Sequence, residues 1–326
     1  MTREITFRDA IAEALAEEFE RQPEMILLGE DILAQGGVFG VYRDLLARHR
    51  DRFLETPIAE PGFVGMAVGA AMTGGPVVVE VMFADFLTTC MDEIVNQAAK
   101  MRYMTGGQAR MPLVIRAASG MGRGTAAQHT QSLEAWFVHV PGLKVVAPST
   151  PADAKGLLKA ALRGEDPVLV FEHKQLYALK GEVPEGEHLV PLGRARVLRE
   201  GRDLTIIAWA AMAHRALEAA EALAAEGIAA EVLDPRTLSP LDEEAILASV
   251  RRTGRALVVD EATLRCSVGS EIAAMIGEHA FAALKGPVRR LASPHAPKPF
   301  APVLEALSIP RSADIAAVAR GMLARG

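Results

Sequence analysis

Residues 56–83 read TPIAEPGFVGMAVGAAMTGGPVVVEVMF, and this stretch sets the fold class. Its first part carries apolar residues at helical spacing behind Pro61, a residue suited to a first helical turn. After Gly74, Gly75 and Pro76 the period changes to a valine run that reads as a strand buried on both faces. A helix feeding a buried strand through a tight turn is the unit of a parallel sheet covered by helices. Within residues 56–75 the one ionisable side chain is Glu60, at the mouth of the helix. Burial among apolar neighbours penalises the charged carboxylate and raises its pKa, which suits a group that donates a proton near neutral pH. The helix dipole alone also favours a carboxylate there, so a plain helix-start role competes.

The helix has a second peculiarity. Gly62, Gly65 and Gly69 stand three and four apart and share one face. Glycine costs about 1 kcal/mol in a helix interior relative to alanine. Close approach of another helix or chain would offset that cost, so the stripe reads as a packing seam and an interface.

Working outward, the same alternation recurs. EMILLG (24–29), MPLVIRAA (111–118), LKVVAPS (143–149) and PVLVFEH (167–173) read as buried strands, while DEIVNQAAKMRYM (92–104) and PADAKGLLKAALR (151–163) have helical spacing. Ser149 or Thr150 can cap the latter helix, Pro151 fits its first turn and Asp153 complements its dipole. MTREITFRDAIAEALAEEF at the N-terminus reads as an acidic amphipathic helix. Residues 178–203, rich in turn formers and charge, read as a linker. A second, smaller α/β pattern follows: LTIIAWA, IAAEVLD and RALVVDEA as strands, AHRALEAAEALAAEG and LDEEAILASVRRTG as helices. The expected architecture is a doubly wound parallel sheet over 1–187 and a smaller α/β domain over 188–326.

Composition narrows the class. Half of the 326 residues are hydrophobic and the formal net charge is -6, which describes a soluble globular protein and gives no footprint for nucleic acid. Two cysteines, Cys90 and Cys266, form neither a metal spacing nor a disulfide framework and suit a reducing compartment, so a cytoplasmic setting is expected. No apolar run has the length of a membrane span. GMGRG (120–124) lacks the spacing of a dinucleotide fingerprint, and neither a phosphate-binding loop nor a zinc-spaced histidine pair occurs.

Three further positions carry possible chemistry. His129 lies between Gln128 and Thr130 in a loop opened by glycines, a setting in which function concentrates, although a lone histidine is more often structural. His139, in WFVHVPG, has an apolar setting that predicts a core histidine. Phe86 falls at the carboxyl end of a strand, where open α/β sheets bind ligands. Its ring suits stacking on a flat heterocycle or, equally, core packing.

Taken in order, LLGED, GGVFGVYRDL, ETPIAEPGFVGMAVGAAMTGG, MFADF, NQAAKMRYMTGGQ, AAQHTQSLEAWF and VPGLKVVAPSTPADAKGLL resemble the β subunit of thiamine diphosphate-dependent 2-oxo acid dehydrogenases. DPRTLSPLDEEAI and VVDEATLRCSVGSEIA in the second half do so too. The resemblance implies a pyrimidine-binding domain followed by a transketolase-like C-terminal domain. It implies an α2β2 heterotetramer with thiamine diphosphate shared between α and β chains, and an acyl unit passed to the lipoyl group of an acyltransferase. Glu60 then matches the glutamate that hydrogen-bonds the aminopyrimidine, Phe86 the aromatic residue against that ring, and His129 the active-site histidine. The chain has no Gly-Asp-Gly and Asn96 is its one asparagine, so the diphosphate and its Mg2+ fall to the α subunit. The family also suggests a potassium ion held by backbone around Ala161, Gly164 and Asp166.

The ending ASPHAPKPFAPVLEALSIP looks closest to acetoin dehydrogenase β subunits, as does MFADFLTTCMDEI with Cys90. TPIAEPGFVG fits pyruvate and branched-chain versions equally, and both stay open. Tyr42 stands where threonine is usual, and Lys298 where valine or methionine is commoner. A non-catalytic assembly subunit is the alternative from a different class.

Overall fold

The structure, a computed structural model, describes residues 2–324, and the chain divides into two compact units. The first takes the chain up to Ser119 together with Trp136–Leu192, and the second takes Gly120–Ala135 and the described residues from Gly193 on.

The elements of the first part of the chain are β1 (Thr2–Thr6), α1 (Phe7–Arg21), β2 (Ile26–Gly29), α2 (Arg43–His49), β3 (Phe53–Glu55), α3 (Glu60–Thr73), β4 (Val77–Phe83), α4 (Ala99–Met104), β5 (Leu113–Ser119), α5 (Glu134–Val138), β6 (Lys144–Val146), α6 (Pro151–Leu162), β7 (Val168–His173) and β8 (Lys180–Pro184). The sheet of the first unit runs β6-β7-β5-β4-β2-β3, and every adjacent pair is parallel. β5 and β7 are buried along their whole length, as continuous apolar runs require when helices cover both faces. The start of α6 follows its sequence signals, with Thr150 as N-cap accepting from the Asp153 amide at 3.1 Å and Pro151 in the first turn.

Two expectations need correction here. The N-terminal helix does not start at the terminus: β1 precedes it, and the Thr6 side chain caps α1 by accepting from the Asp9 amide at 3.0 Å. Residues 178–203 are not a plain linker, because β8 pairs antiparallel with β1 from Thr2↔Pro184 to Thr6↔Lys180. This two-stranded ribbon is polar and partly exposed, so it lacks the apolar alternation that marks a strand. It lies beside charged packing between α1 and α6. Lys155, 0% exposed, donates to Glu13 at 2.5 Å, to Glu17 at 2.8 Å and to the Gly186 carbonyl at 3.0 Å.

The sheet of the first unit also encloses a polar cluster. Arg116 and Glu80 sit opposite each other on β5 and β4, and Arg116 donates to Glu80 at 3.0 Å. Tyr177 donates to Glu172 at 2.8 Å, and the Tyr42 hydroxyl bridges Glu80 and Arg116. Tyr42 is therefore a fully buried member of this cluster.

The second part holds β9 (Arg196–Arg199), β10 (Leu204–Ala208), α7 (Ala211–Ala224), β11 (Ala230–Asp234), β12 (Thr237–Ser239), α8 (Glu243–Thr253), β13 (Ala256–Thr263), α9 (Val268–His279), β14 (Arg289–Ser293), α10 (Pro302–Leu307) and α11 (Ser312–Leu323). Its sheet runs β14-β13-β10-β11-β9, parallel except at the β9 edge. α8 begins at Asp242, which accepts from the Ala245 amide, and stops at Gly254 in the left-handed conformation. Both units are thus α/β with parallel-dominated sheets. Among the described residues no helix is long and apolar enough to cross a membrane.

Candidate active site

Because β2, β3 and β4 are parallel neighbours, their carboxyl ends share one edge of the first sheet. Three side chains of interest leave from that edge. Glu30 directly follows β2, Glu60 opens α3 after the loop from β3, and Phe86 lies in the 3-10 turn Ala84–Thr88 after β4. Carboxyl ends of this kind are where open α/β sheets receive ligands.

Glu60 is the first residue of α3, and the N-cap is Ala59, whose methyl group cannot accept a hydrogen bond. Glu60 is 9% exposed. Glu30 is buried as well, and its Oε2 has no hydrogen-bond partner. Burial, then the negative charge of Glu60, then those of Asp31 and Glu80, push the Glu30 carboxyl up to about 7. Burial, with Glu93 and Glu60, likewise pushes the enclosed Cys90 thiol up to about 12. Glu60 therefore belongs to a buried acidic neighbourhood in which Glu30 keeps its proton up to about neutral pH. Glu30 is the member that sequence reasoning missed. Its signal was the acidic pair Glu30-Asp31 ending the apolar strand ILLG, reinforced in the structure by Asp31 at φ 52°.

The glycine face of α3 is open within the chain. A Cβ at Gly69 would meet nothing within 4 Å, and one at Gly62 would meet only the Ala59 Cβ at 4.0 Å. Met66 on the same face and Ile58 just before the helix are exposed. Gly65 alone approaches a neighbour, the Glu93 Cγ at 3.5 Å. Glu93 opens a correction, since the regular helix expected over 92–104 is a π-helical turn, Glu93–Ala98, running into α4. Asp92 accepts from Asn96 at 2.6 Å and from Gln97 at 3.2 Å, so the side chain reaches both i+4 and i+5 across the widened turn.

His129 belongs to the second unit. Its amide donates to the Ala126 carbonyl at 3.4 Å, and its carbonyl accepts from Thr125 Oγ1 at 3.1 Å. Ala126 at φ 62° and the Thr130 hydroxyl bond to its carbonyl at 2.6 Å complete a tight, half-buried turn. His139 is exposed, contrary to its apolar setting in sequence: in the short α5 Phe137 turns fully inward, while Trp136 and, just past the helix end, His139 face out.

The second unit has its own acidic group. Burial, then the charges of Asp260 and Glu261, push Glu134 up to about 8, and burial pushes Asp260 up to about 6. Elsewhere, Ala161, Gly164 and Asp166 lie together where α6 turns into β7. The Gly164 amide donates to the Ala161 carbonyl at 3.0 Å, and the Asp166 carboxylate holds Arg102 at 2.7 Å and Lys144 at 2.8 Å. Among the described residues no group of three His, Cys, Asp or Glu side chains is placed to hold a metal.

Residues 3–180 match the transketolase pyrimidine-binding domain, and residues 193–315 match the transketolase C-terminal domain. The acetoin:2,6-dichlorophenolindophenol oxidoreductase subunit beta of Cupriavidus necator is 51% identical over 336 residues, covering 100% of this chain and 99% of that one. The chain belongs to the β-subunit family of the acetoin and 2-oxo acid dehydrogenases. A second member, the 2-oxoisovalerate dehydrogenase subunit beta of Bacillus subtilis, is 47% identical over 304 residues, 92% of this chain and 93% of that one. Among solved structures, a split-gene transketolase described as an inactive beta4 tetramer superposes with a TM-score of 0.81 at 27% identity, covering 98% of both chains. As a β subunit of this family, the chain matches both transketolase domains expected from its motifs, over residues 3–180 and 193–315.

Proposed function

We propose that the chain is the β subunit of a thiamine diphosphate-dependent dehydrogenase that cleaves acetoin, passes the acyl unit to a lipoyl group and works only with an α subunit. The observation that carries the reading is Glu60, a buried carboxyl at the first residue of α3 on a sheet edge that also presents Phe86. A flat aminopyrimidine suits this edge. Glu60 would meet a ring nitrogen, Phe86 would cover a ring face, and the orphaned Glu30 Oε2 leaves polar capacity beside them. When bound, thiamine diphosphate supplies the carbon that attacks the substrate carbonyl. Glu60 would orient the ring through its buried carboxyl group, and His129 would hold or move a proton.

The diphosphate and Mg2+ belong to the α subunit on this reading, because this chain has no Gly-Asp-Gly to hold them. The open glycine face of α3 supports an α2β2 assembly. Carbonyls at the end of α6, around Ala161, Gly164 and Asp166, would take a potassium ion. A lipoyl-bearing acyltransferase is the acceptor, and the cytoplasm the compartment that suits two free cysteines. The acetoin choice rests on the 51% relative, and branched-chain or pyruvate substrates are the competing reading.

The test is reconstitution with the cognate α chain, thiamine diphosphate and Mg2+, reading dichlorophenolindophenol reduction with acetoin, pyruvate and branched 2-oxo acids in parallel. Acetoin is expected to lead, and Glu60→Gln to lower turnover by about 10²-fold or more. Preference for a 2-oxo acid overturns the substrate. Full turnover by Glu60→Gln overturns the catalytic reading in favour of an assembly subunit.

A further inference from the structure

We propose that Glu305 is a positioning residue for His129, acting through the glycine loop that leads to it; the functional half of this inference rests on the catalytic reading of His129. Glu305 sits on α10, is 3% exposed, and spreads its carboxylate over two backbone amides of the loop. Oε1 accepts from Gly122 at 2.8 Å and Oε2 from Gly124 at 3.1 Å. Glu261, at 6% exposure on β13, takes the preceding amide, Met121, at 2.6 Å. Three of the amides of GMGRG are thus held by two buried carboxylates from separate elements of the same unit.

The loop needs such an anchor. Gly120, Gly122 and Gly124 have φ of 82°, 101° and 62°, and Ala126 follows at 62°. A segment in which these residues take left-handed backbone has no helix or strand ladder to satisfy its amides. An ionised acceptor forms a stronger hydrogen bond than a neutral one, so these carboxylates hold the loop amides firmly. The loop is also packed close to the chain entering α10, since a Cβ on Gly124 would lie 3.5 Å from the Phe300 carbonyl. Four residues separate Gly124 from His129, and the turn between them is fixed by the bonds of Ala126, Thr125 and Thr130. Displacement at Gly122 and Gly124 therefore passes into the placement of the imidazole, and a misplacement of about 1 Å is enough to cost about 10²-fold in rate.

Glu305→Gln is the discriminating variant. Its carboxamide offers one oxygen where two amides need acceptors, and turns an NH2 donor toward the other. In the full-length chain reconstituted with α, hydrogen exchange of a peptide spanning residues 120–126 should quicken by about tenfold, the change expected from one lost hydrogen bond. Exchange in β10 and β13 and the thermal midpoint serve as folding controls and should stay near wild type. Turnover should fall by about tenfold or more with KM little changed. In a His129→Ala background the same substitution should cause no further loss. Unchanged exchange overturns the tether. Quickened exchange with full turnover, or losses that multiply in the double variant, overturns the positioning role. Full turnover by His129→Ala alone overturns instead the reading of His129, and the exchange result then stands by itself as a measure of the tether.

Discussion

Arg116 donates from Nε and Nη2 to the two carboxylate oxygens of Glu172 at 2.7 and 2.8 Å, and each side chain is 1% exposed. A bidentate pair this deep is held by geometry more than by net free energy, because both charges surrendered their hydration. Removing one partner is therefore the harmful change. Arg116→Met leaves Glu172 and Glu80 as uncompensated buried carboxylates and should lower stability by about 3–5 kcal/mol. Chemical denaturation of the purified chain measures this directly. A loss under about 1 kcal/mol would mean that the two carboxyls are protonated in the folded protein and need no cation.

Gly69→Leu separates folding from association. Within the chain an added Cβ meets nothing within 4 Å, and the helix gains propensity. The isolated chain should keep its melting temperature or improve on it. Co-elution with the α chain should be lost, because a bulky side chain holds the helix away from any surface laid along its glycine face. A variant that still co-elutes places the subunit contact elsewhere.

Stability should fall as pH rises from weak acid to mild alkali, through Glu134 and Glu30. Their folded pKa values, about 8 and about 7, lie above the usual carboxylate value of 4.5. Between 4.5 and those values the folded chain keeps protons that the unfolded chain has lost. Each group's contribution is complete below 4.5 and is spent once pH has passed its folded pKa. The slope for one such group is about 1.4 kcal/mol per pH unit. Glu134→Gln should remove one proton's worth of that slope up to pH about 8, and Glu30→Gln should do so up to pH about 7. Denaturation midpoints from pH 5 to pH 9 provide the comparison, and parallel curves for variant and parent would contradict the assigned burial.

Lys298 offers a gain. Its Nζ is enclosed without a hydrogen-bond partner, and burial lowers its pKa against the opposing pull of Glu261 and Asp260. Lys298→Met keeps the length of the side chain and removes an unsatisfied polar group, so stability at pH 7 should hold or rise by about 1–2 kcal/mol. A loss of similar size would show that the ammonium offsets those two carboxylates more than its burial costs.

The alternation of helix and strand was legible because parallel strands covered on both faces are written as unbroken apolar runs, such as PVVVEVMF and MPLVIRAA. Glu60 stood out for the same reason, as a charge inside such a run. β1 and β8 escaped because a ribbon with exposed side chains needs only backbone pairing between residues far apart in sequence. Glu30 escaped because its character comes from burial and then from Glu60 and Glu80, neighbours only after folding. His139 was misread because local apolar content cannot say which way a short helix turns its faces. The carboxylates that hold the glycine loop were invisible too, since Glu305 meets Gly122 across most of the second unit's sequence.

The ribbon of β1 with β8 bears on the order in which the molecule is made. Thr2 is translated well before its partner, Pro184. Until that point has been translated and released, the opening strand has exposed amides and carbonyls with nothing to pair with. A nascent chain stalled before residue 180 should keep its first residues open to protease, and one stalled well past residue 192 should protect them. Completion of the first unit is thereby timed to translation of β8.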